Sequence, residues 1–158
     1  MKFSKLILVL LLSVAAFGQH NTFGTYKKNV AKCKYEPAGR PGTDAPYTRI
    51  FIDHGNGWVQ ARSFRDATKP YPDIDIIFKR DGNEYTNWTR GVAEYGTLKF
   101  VKVGPRSWQY TGNREGQVNT NSKSVESFSE DGKTYTVETT GKMPDGRPRH
   151  DIEIFERQ

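Results

Sequence analysis

Five turn signatures punctuate the chain after residue 54: Gly55-Asn56-Gly57, Asp81-Gly82-Asn83, Gly104-Pro105, Asp131-Gly132 and Pro144-Asp145-Gly146. Asn-Gly and Asp-Gly supply the positive φ angles that tight hairpins require. Between them lie short runs rich in Ile, Val, Phe, Tyr, Trp and Thr, the composition of strands. An antiparallel meander of this kind must hide its edges, most simply by closing on itself. The expected fold is all-β: an antiparallel up-and-down barrel of about 8–10 strands. A sandwich is the structural runner-up.

The runs alternate as half-buried strands should. Tyr47–Asp53 sets Ile50 and Ile52 against Tyr47, Arg49 and Phe51, and Trp58–Phe64 sets Trp58, Gln60, Arg62 and Phe64 against Val59, Ala61 and Ser63. Ile74–Lys79, Glu84–Trp88, Thr97–Val103, Ser107–Thr111, Lys133–Thr140 and His150–Arg157 follow, after a first strand over Thr22–Lys27. Ala31 and Cys33 mark a single helical turn, and three prolines with two glycines make Glu36–Pro46 a loop. Gln117–Ser129 is polar, with Val118, Val125 and Phe128 its only apolar residues, and is expected to be exposed on one side.

Residues 1–18 read as a secretory signal. Lys2 and Lys5 precede an apolar run from Leu6 to Phe17, and Ala16-Phe17-Gly18 offers small residues at the two positions a signal peptidase reads. Cleavage after Gly18 would leave one domain, residues 19–158, secreted or periplasmic and without a membrane span. Losing Lys2 and Lys5 lowers the net charge from +6 to +4, with acids and bases mixed along the chain. The densest basic stretch, Arg147-Pro148-Arg149-His150, runs straight into Asp151 and Glu153, so a nucleic-acid partner is not expected. An outer-membrane barrel is disfavoured because Gln117–Ser129 offers no lipid-facing stripe.

The single cysteine excludes an intrachain disulfide. Cys33 is left as a buried small apolar residue, a free thiol or a dimer bridge; a monomer is expected. Asn87-Trp88-Thr89 matches the N-glycosylation pattern, which carries meaning only in a eukaryotic host. His20, His54 and His150 are scattered, and no metal or cofactor is expected. His150 and Asp151 are neighbours on a strand and point to opposite faces. Asp73 and Asp75 share a face, as an acid–base pair would, but Lys79 beside them suits a solvated face better. No Gly-x-Ser-x-Gly elbow or phosphate-cradling loop is present, so no enzyme is expected.

The aromatic residues carry more. Trp58 with Phe64, and Trp108 with Tyr110, place large rings on one face of their strands. They either line a ligand cavity or fill a core. The candidate lining is Trp58, Arg62, Phe64, Phe78, Trp108 and Tyr110. An inward Arg62 would need a partner, which an anionic head group could supply.

The segment Phe23-Gly24-Thr25-Tyr26-Lys27-Lys28-Asn29-Val30-Ala31-Lys32-Cys33-Lys34-Tyr35 resembles the start of secreted bacterial lipocalin-like (calycin-type) domains, which open on G-T-W-K-x-N-x-x-K-S-K. Ser129-Glu130-Asp131-Gly132-Lys133-Thr134-Tyr135-Thr136-Val137 and the ending Ile154-Phe155-Glu156-Arg157-Gln158 resemble their tails. Tyr26 stands where lipocalins carry a Trp that plugs the closed end of the barrel. The resemblance implies that Gly24, Tyr26 and a late arginine, Arg157 or else Arg149, are structural. It implies an exported soluble barrel that binds a small apolar or amphipathic molecule. The alternative is a non-enzymatic structural or interaction module with a filled core.

Overall fold

The computed structural model describes residues 22–89, 93–113, 122–143 and 145–158. The predicted leader, His20, Val118 and Pro144 lie outside them. The described residues form eleven strands: β1 Gly24–Lys28, β2 Lys34–Glu36, β3 Thr48–Gly55, β4 Trp58–Phe64, β5 Ile74–Phe78, β6 Glu84–Thr89, β7 Ala93–Gly104, β8 Ser107–Asn113, β9 Lys123–Phe128, β10 Thr134–Lys142 and β11 Pro148–Arg157. From β3 onward each strand pairs antiparallel with the next, and β1 bridges β3 and β11. The result is a closed up-and-down barrel, so the edge problem posed by the meander is solved by closure.

The turn signatures explain why one end is compact. In a meander, successive turns alternate between the two ends, and four of the five signatures fall at the same one. There the β3–β4 hairpin turns through Gly55, Asn56 and Gly57, with φ of 76°, 51° and 80°, and the Asp53 carboxylate accepts the Gly55 N–H at 2.8 Å. The Asp81-Gly82, Gly104-Pro105 and Asp131-Gly132 turns join β5–β6, β7–β8 and β9–β10 at that end. Longer connections, including residues 37–47 and 65–73, lie at the far end.

At the closed end Tyr26 is fully buried. Its ring packs edge-on against Phe51 and Phe128, and its hydroxyl donates to the Gly132 carbonyl at 3.0 Å. Arg157 pairs with Tyr26 across the β1–β11 ladder. An ideal Cβ on Gly24, whose φ is +130°, would lie 3.1 Å from Arg157 Nε. Arg157, rather than Arg149, therefore stands beside the Gly-x-aromatic opening. The Gln158 N–H then donates to the Thr25 carbonyl at 2.9 Å, seaming the two ends of the described chain together.

The predicted helical turn is a 3-10 turn at Val30–Lys32, and it interrupts a single line of pairing along β11. β1 pairs with Phe155–Arg157 and β2 with His150–Ile152. In between, the Cys33 thiol accepts the Ile154 N–H at 3.3 Å and donates to the Asn29 carbonyl at 3.2 Å. Half-buried Cys33 thus fills the ladder position that the detour vacates.

Strand β9 buries one face and leaves the other open, as its polar run suggests. Ser124, Glu126 and Phe128 face inward and are buried. Lys123, Val125 and Ser127 form the exposed to half-exposed outer face, and the polar inward groups find partners on other strands. Ser124 Oγ lies 2.9 Å from Thr139 Oγ1, and Glu126 is held as described below.

Candidate binding site

The inner wall is built by alternation. Phe51 pairs with Ala61, and Ala61 with Ile76, so Val59, Ala61 and Ser63 share the inward face with Arg49, Phe51, Ile76 and Phe78. Toward the closed end the rings of Tyr26, Phe51, Phe128, Tyr135 and Phe155 pack together in the interior, beneath a hollow of about 310 Å³ bordered by Phe23, Val59, Arg80 and Trp108. Toward the far end an interior cavity of about 220 Å³ remains. Tyr47, Phe51, Ile74, Ile76, Phe78, Leu98, Phe100 and Tyr110 make it largely apolar, and Arg49, Ser63, Glu126 and Tyr135 add the polar groups. Phe78 and Phe100 stack at 4.1 Å to form one flat side.

A chain of polar side chains runs from the closed end into this cavity. The Arg80 guanidinium lies 4.4 Å over the Trp108 ring, and Arg80 Nε donates to Glu126 Oε1 at 3.0 Å. Glu126 Oε2 accepts the Tyr135 hydroxyl at 3.1 Å. Arg49 Nη1 in turn donates to the Tyr135 oxygen. Burial pushes the Tyr135 pKa well above its ordinary value; Arg49 opposes this, while Glu126 reinforces it, so the hydroxyl keeps the proton it donates. Burial works against the Arg49 charge, but the Tyr135, Tyr110 and Tyr47 oxygens and Glu153 outweigh it and raise its pKa well above the ordinary value. Three rings, Tyr47, Tyr135 and Phe155, surround its guanidinium at 5.3–5.5 Å. Arg49 Nε is buried with no hydrogen-bond partner.

A second cluster occupies the far end. Buried Lys28 lies 3.2 Å from Glu153 and donates to the Thr43 carbonyl at 2.8 Å. Tyr35 donates to Glu153 at 3.2 Å, and Arg40 and Arg149 both hold the buried Asp151. These bonds fasten the 37–47 connection to β1 and β11.

Of the residues nominated from sequence, Phe78 and Tyr110 line the cavity. Trp108 faces inward but sits under Arg80 at the closed end. Trp58, Arg62 and Phe64 are corrected: they lie on the outer face of β4, opposite Val59, Ala61 and Ser63. Trp58 is 37% exposed beside the hairpin, where Lys79 Nζ stands 4.8 Å over its ring. Arg62 lies 3.5 Å from Asp75 and covers the Phe64 ring at 5.5 Å, so it is not an interior cation. The cation in the cavity lining is Arg49, flanked at i ± 2 by Tyr47 and Phe51, a spacing that placed it on their face. Glu126 carried no such signal, because its partners stand on β10 and next to β5.

His54, His150 and the paired aspartates serve local structure. His54 Nε2 lies 3.1 Å from Gln60 Oε1, and His150 Nε2 lies 2.8 Å from Glu138 Oε1 on the neighbouring strand. Asp73 accepts the Arg65 N–H at 2.6 Å, whereas Asp75 accepts Gln60 Nε2 at 2.8 Å. Among the described residues no three His, Cys, Asp or Glu side chains converge as metal ligands. No helix there is long and apolar enough to cross a membrane. A wider hollow of about 400 Å³ lies outside the barrel, walled by Gln60, Asp75, Ile77, Thr86 and Trp88. It lies over β4–β6 and shares the wall residue Ile76 with the interior cavity.

In fold, the closed antiparallel meander is like a calycin-type barrel. Its architecture is similar to the crystal structure of Echinococcus granulosus fatty-acid-binding protein 1, with a TM-score of 0.54 and 12% sequence identity over 87% of this chain and 97% of that one. At that identity the likeness concerns the fold. No protein-family model and no curated protein sequence matches the chain.

Proposed function

We propose that the protein is an exported, single-domain, monomeric carrier that binds a small apolar or amphipathic molecule inside the barrel. The observation that carries this reading is the interior cavity of about 220 Å³, lined mainly by aromatic and aliphatic side chains. At ~30 Å³ per water it has the volume of roughly seven waters, room for a small molecule. Apolar concavities with a few fixed polar groups are the usual form of small-molecule sites. That the structural neighbour is a fatty-acid-binding protein is consistent with this role. The export part rests on the basic start, apolar run and Ala16-Phe17-Gly18 of the leader. A non-enzymatic role is supported by the separate local duties of His54, His150, Asp73 and Asp75.

Mass spectrometry of the purified protein under native conditions tests the reading, together with displacement of an environment-sensitive apolar dye. A co-purified small molecule, or saturable one-to-one displacement by an apolar compound, is expected. A protein that carries nothing and takes up no probe would leave the filled structural barrel as the better account. N-terminal sequencing of the exported protein is expected to begin at Gln19.

A further inference from the structure

Within the cavity, Arg49 is the group whose chemistry is incomplete. Its neighbours in the polar chain already hold counter-charges: Glu126 accepts from Arg80 Nε at 3.0 Å and from the Tyr135 hydroxyl at 3.1 Å, and the buried Arg80 Nη2, without a hydrogen bond of its own, lies 2.9 Å from the same carboxylate. Glu153, the other carboxylate acting on Arg49, is occupied by Lys28 and Tyr35. Arg49 itself has one hydrogen bond, to a tyrosine oxygen, and its buried Nε has none. An interior cation is costly unless paired, and aromatic faces offset only part of that cost. Along the chain Arg49, Tyr135, Glu126 and Arg80 the formal charges are +1, 0, −1 and +1, leaving one positive charge at the cavity wall. A guanidinium presents its donors in a fork that suits a planar anion such as a carboxylate.

The remaining lining is apolar, which a free inorganic anion would not exploit. The volume of about 220 Å³ holds roughly seven to ten non-hydrogen atoms. Resting on the binding role proposed above, we infer that the ligand is a compact monoanionic amphiphile, its head group on Arg49 and its short apolar body against Phe78, Phe100 and Leu98. The fixed carboxylate of Glu126 in the same lining disfavours a second negative charge.

Calorimetric titration of the purified protein at neutral pH, with octanoate, octan-1-ol, acetate and hexadecanoate, tests this. Octanoate is expected to bind at least about tenfold more tightly than octan-1-ol, since a charged hydrogen-bonded pair is involved. Acetate and hexadecanoate are each expected to bind more weakly than octanoate. In Arg49→Met the octanoate preference should fall to within about twofold of unity while octan-1-ol binding persists. Arg49→Lys should retain part of the preference, and a thermal melt of each variant checks its folding. Equal binding of octanoate and octan-1-ol by the unaltered protein would overturn the charge assignment and leave the cavity reading standing. So would an octanoate preference that survives in Arg49→Met. Acetate binding as tightly as octanoate would overturn the amphiphile, and hexadecanoate doing so would overturn the compact size. No binding by any of the four would overturn both this inference and the carrier role.

Discussion

Arg157 Nε stands 3.1 Å from the point where a Cβ on Gly24 would begin, so the last strand closes over the first at a position that only glycine leaves open. Gly24 also has φ of +130°, a conformation that side chains rarely adopt. Gly24→Ala is therefore expected to cost about 1–3 kcal/mol through strain and displacement of the guanidinium. Chemical denaturation measures it, and a change under about 0.5 kcal/mol would show that β1 adjusts freely.

Tyr26 makes a different closure. Its hydroxyl reaches the Gly132 carbonyl from a fully buried ring. Tyr26→Phe keeps the ring but strands that carbonyl, and a loss of about 1–2 kcal/mol is expected. A Tyr26→Phe protein as stable as the parent would mean that water reaches the carbonyl instead.

The Arg80–Glu126 pair is almost wholly buried, with side chains 10% and 3% exposed. Glu126→Gln leaves Arg80 without its counter-charge and should destabilise by about 3 kcal/mol or more. Replacing both, with Arg80→Met and Glu126→Leu, should recover most of that loss. A double variant no better than the single one would show that the pair does not act as a unit.

Ligand binding should be insensitive to the outer face. Trp58→Ala and Arg62→Ala are expected to change the affinity for a bound probe by less than about twofold, whereas Phe78→Ala and Tyr110→Ala change it by about tenfold. The reverse pattern would move the site to the outside of β4.

Alkali should unfold the barrel. Burial raises the pKa of both Tyr26 and Tyr135 above the ordinary ~10; Arg157 and Arg80 oppose this at Tyr26, and Arg49 does at Tyr135. Between about pH 10 and the higher folded-state values, the unfolded chain has lost protons that the folded one keeps. Stability should thus be steady below about pH 10 in this respect and fall above it, less steeply in Tyr135→Phe. Denaturation midpoints across that range test this, read alongside tyrosinate absorbance. Early ionisation of all the tyrosines without unfolding would contradict it.

The order of strands and the tight turns were legible because both depend on neighbours in sequence: Gly55-Asn56-Gly57 bends the chain whatever surrounds it. The two faces of β3 and β4 were likewise visible as alternation, but which face turned inward on β4 was not. Trp58 and Phe64 outweigh Val59, Ala61 and Ser63 in apolar bulk, and only the pairing of Phe51 with Ala61 decides the matter. The polar interior was hidden for a related reason. A lone Glu126 reads as exposed until Arg80, 46 residues away, is seen beside it. The detour before β2 was half visible, since Cys33 was noted without its role in the ladder.

The seam between β1 and β11 places Thr25 and Gln158 in contact at the end of the barrel opposite the cavity. The covalent order of the strands is therefore not what holds the ring together. A short linker from Gln158 to Thr22, with the chain reopened between Asn56 and Gly57, would give a permuted protein with the same circuit of neighbours.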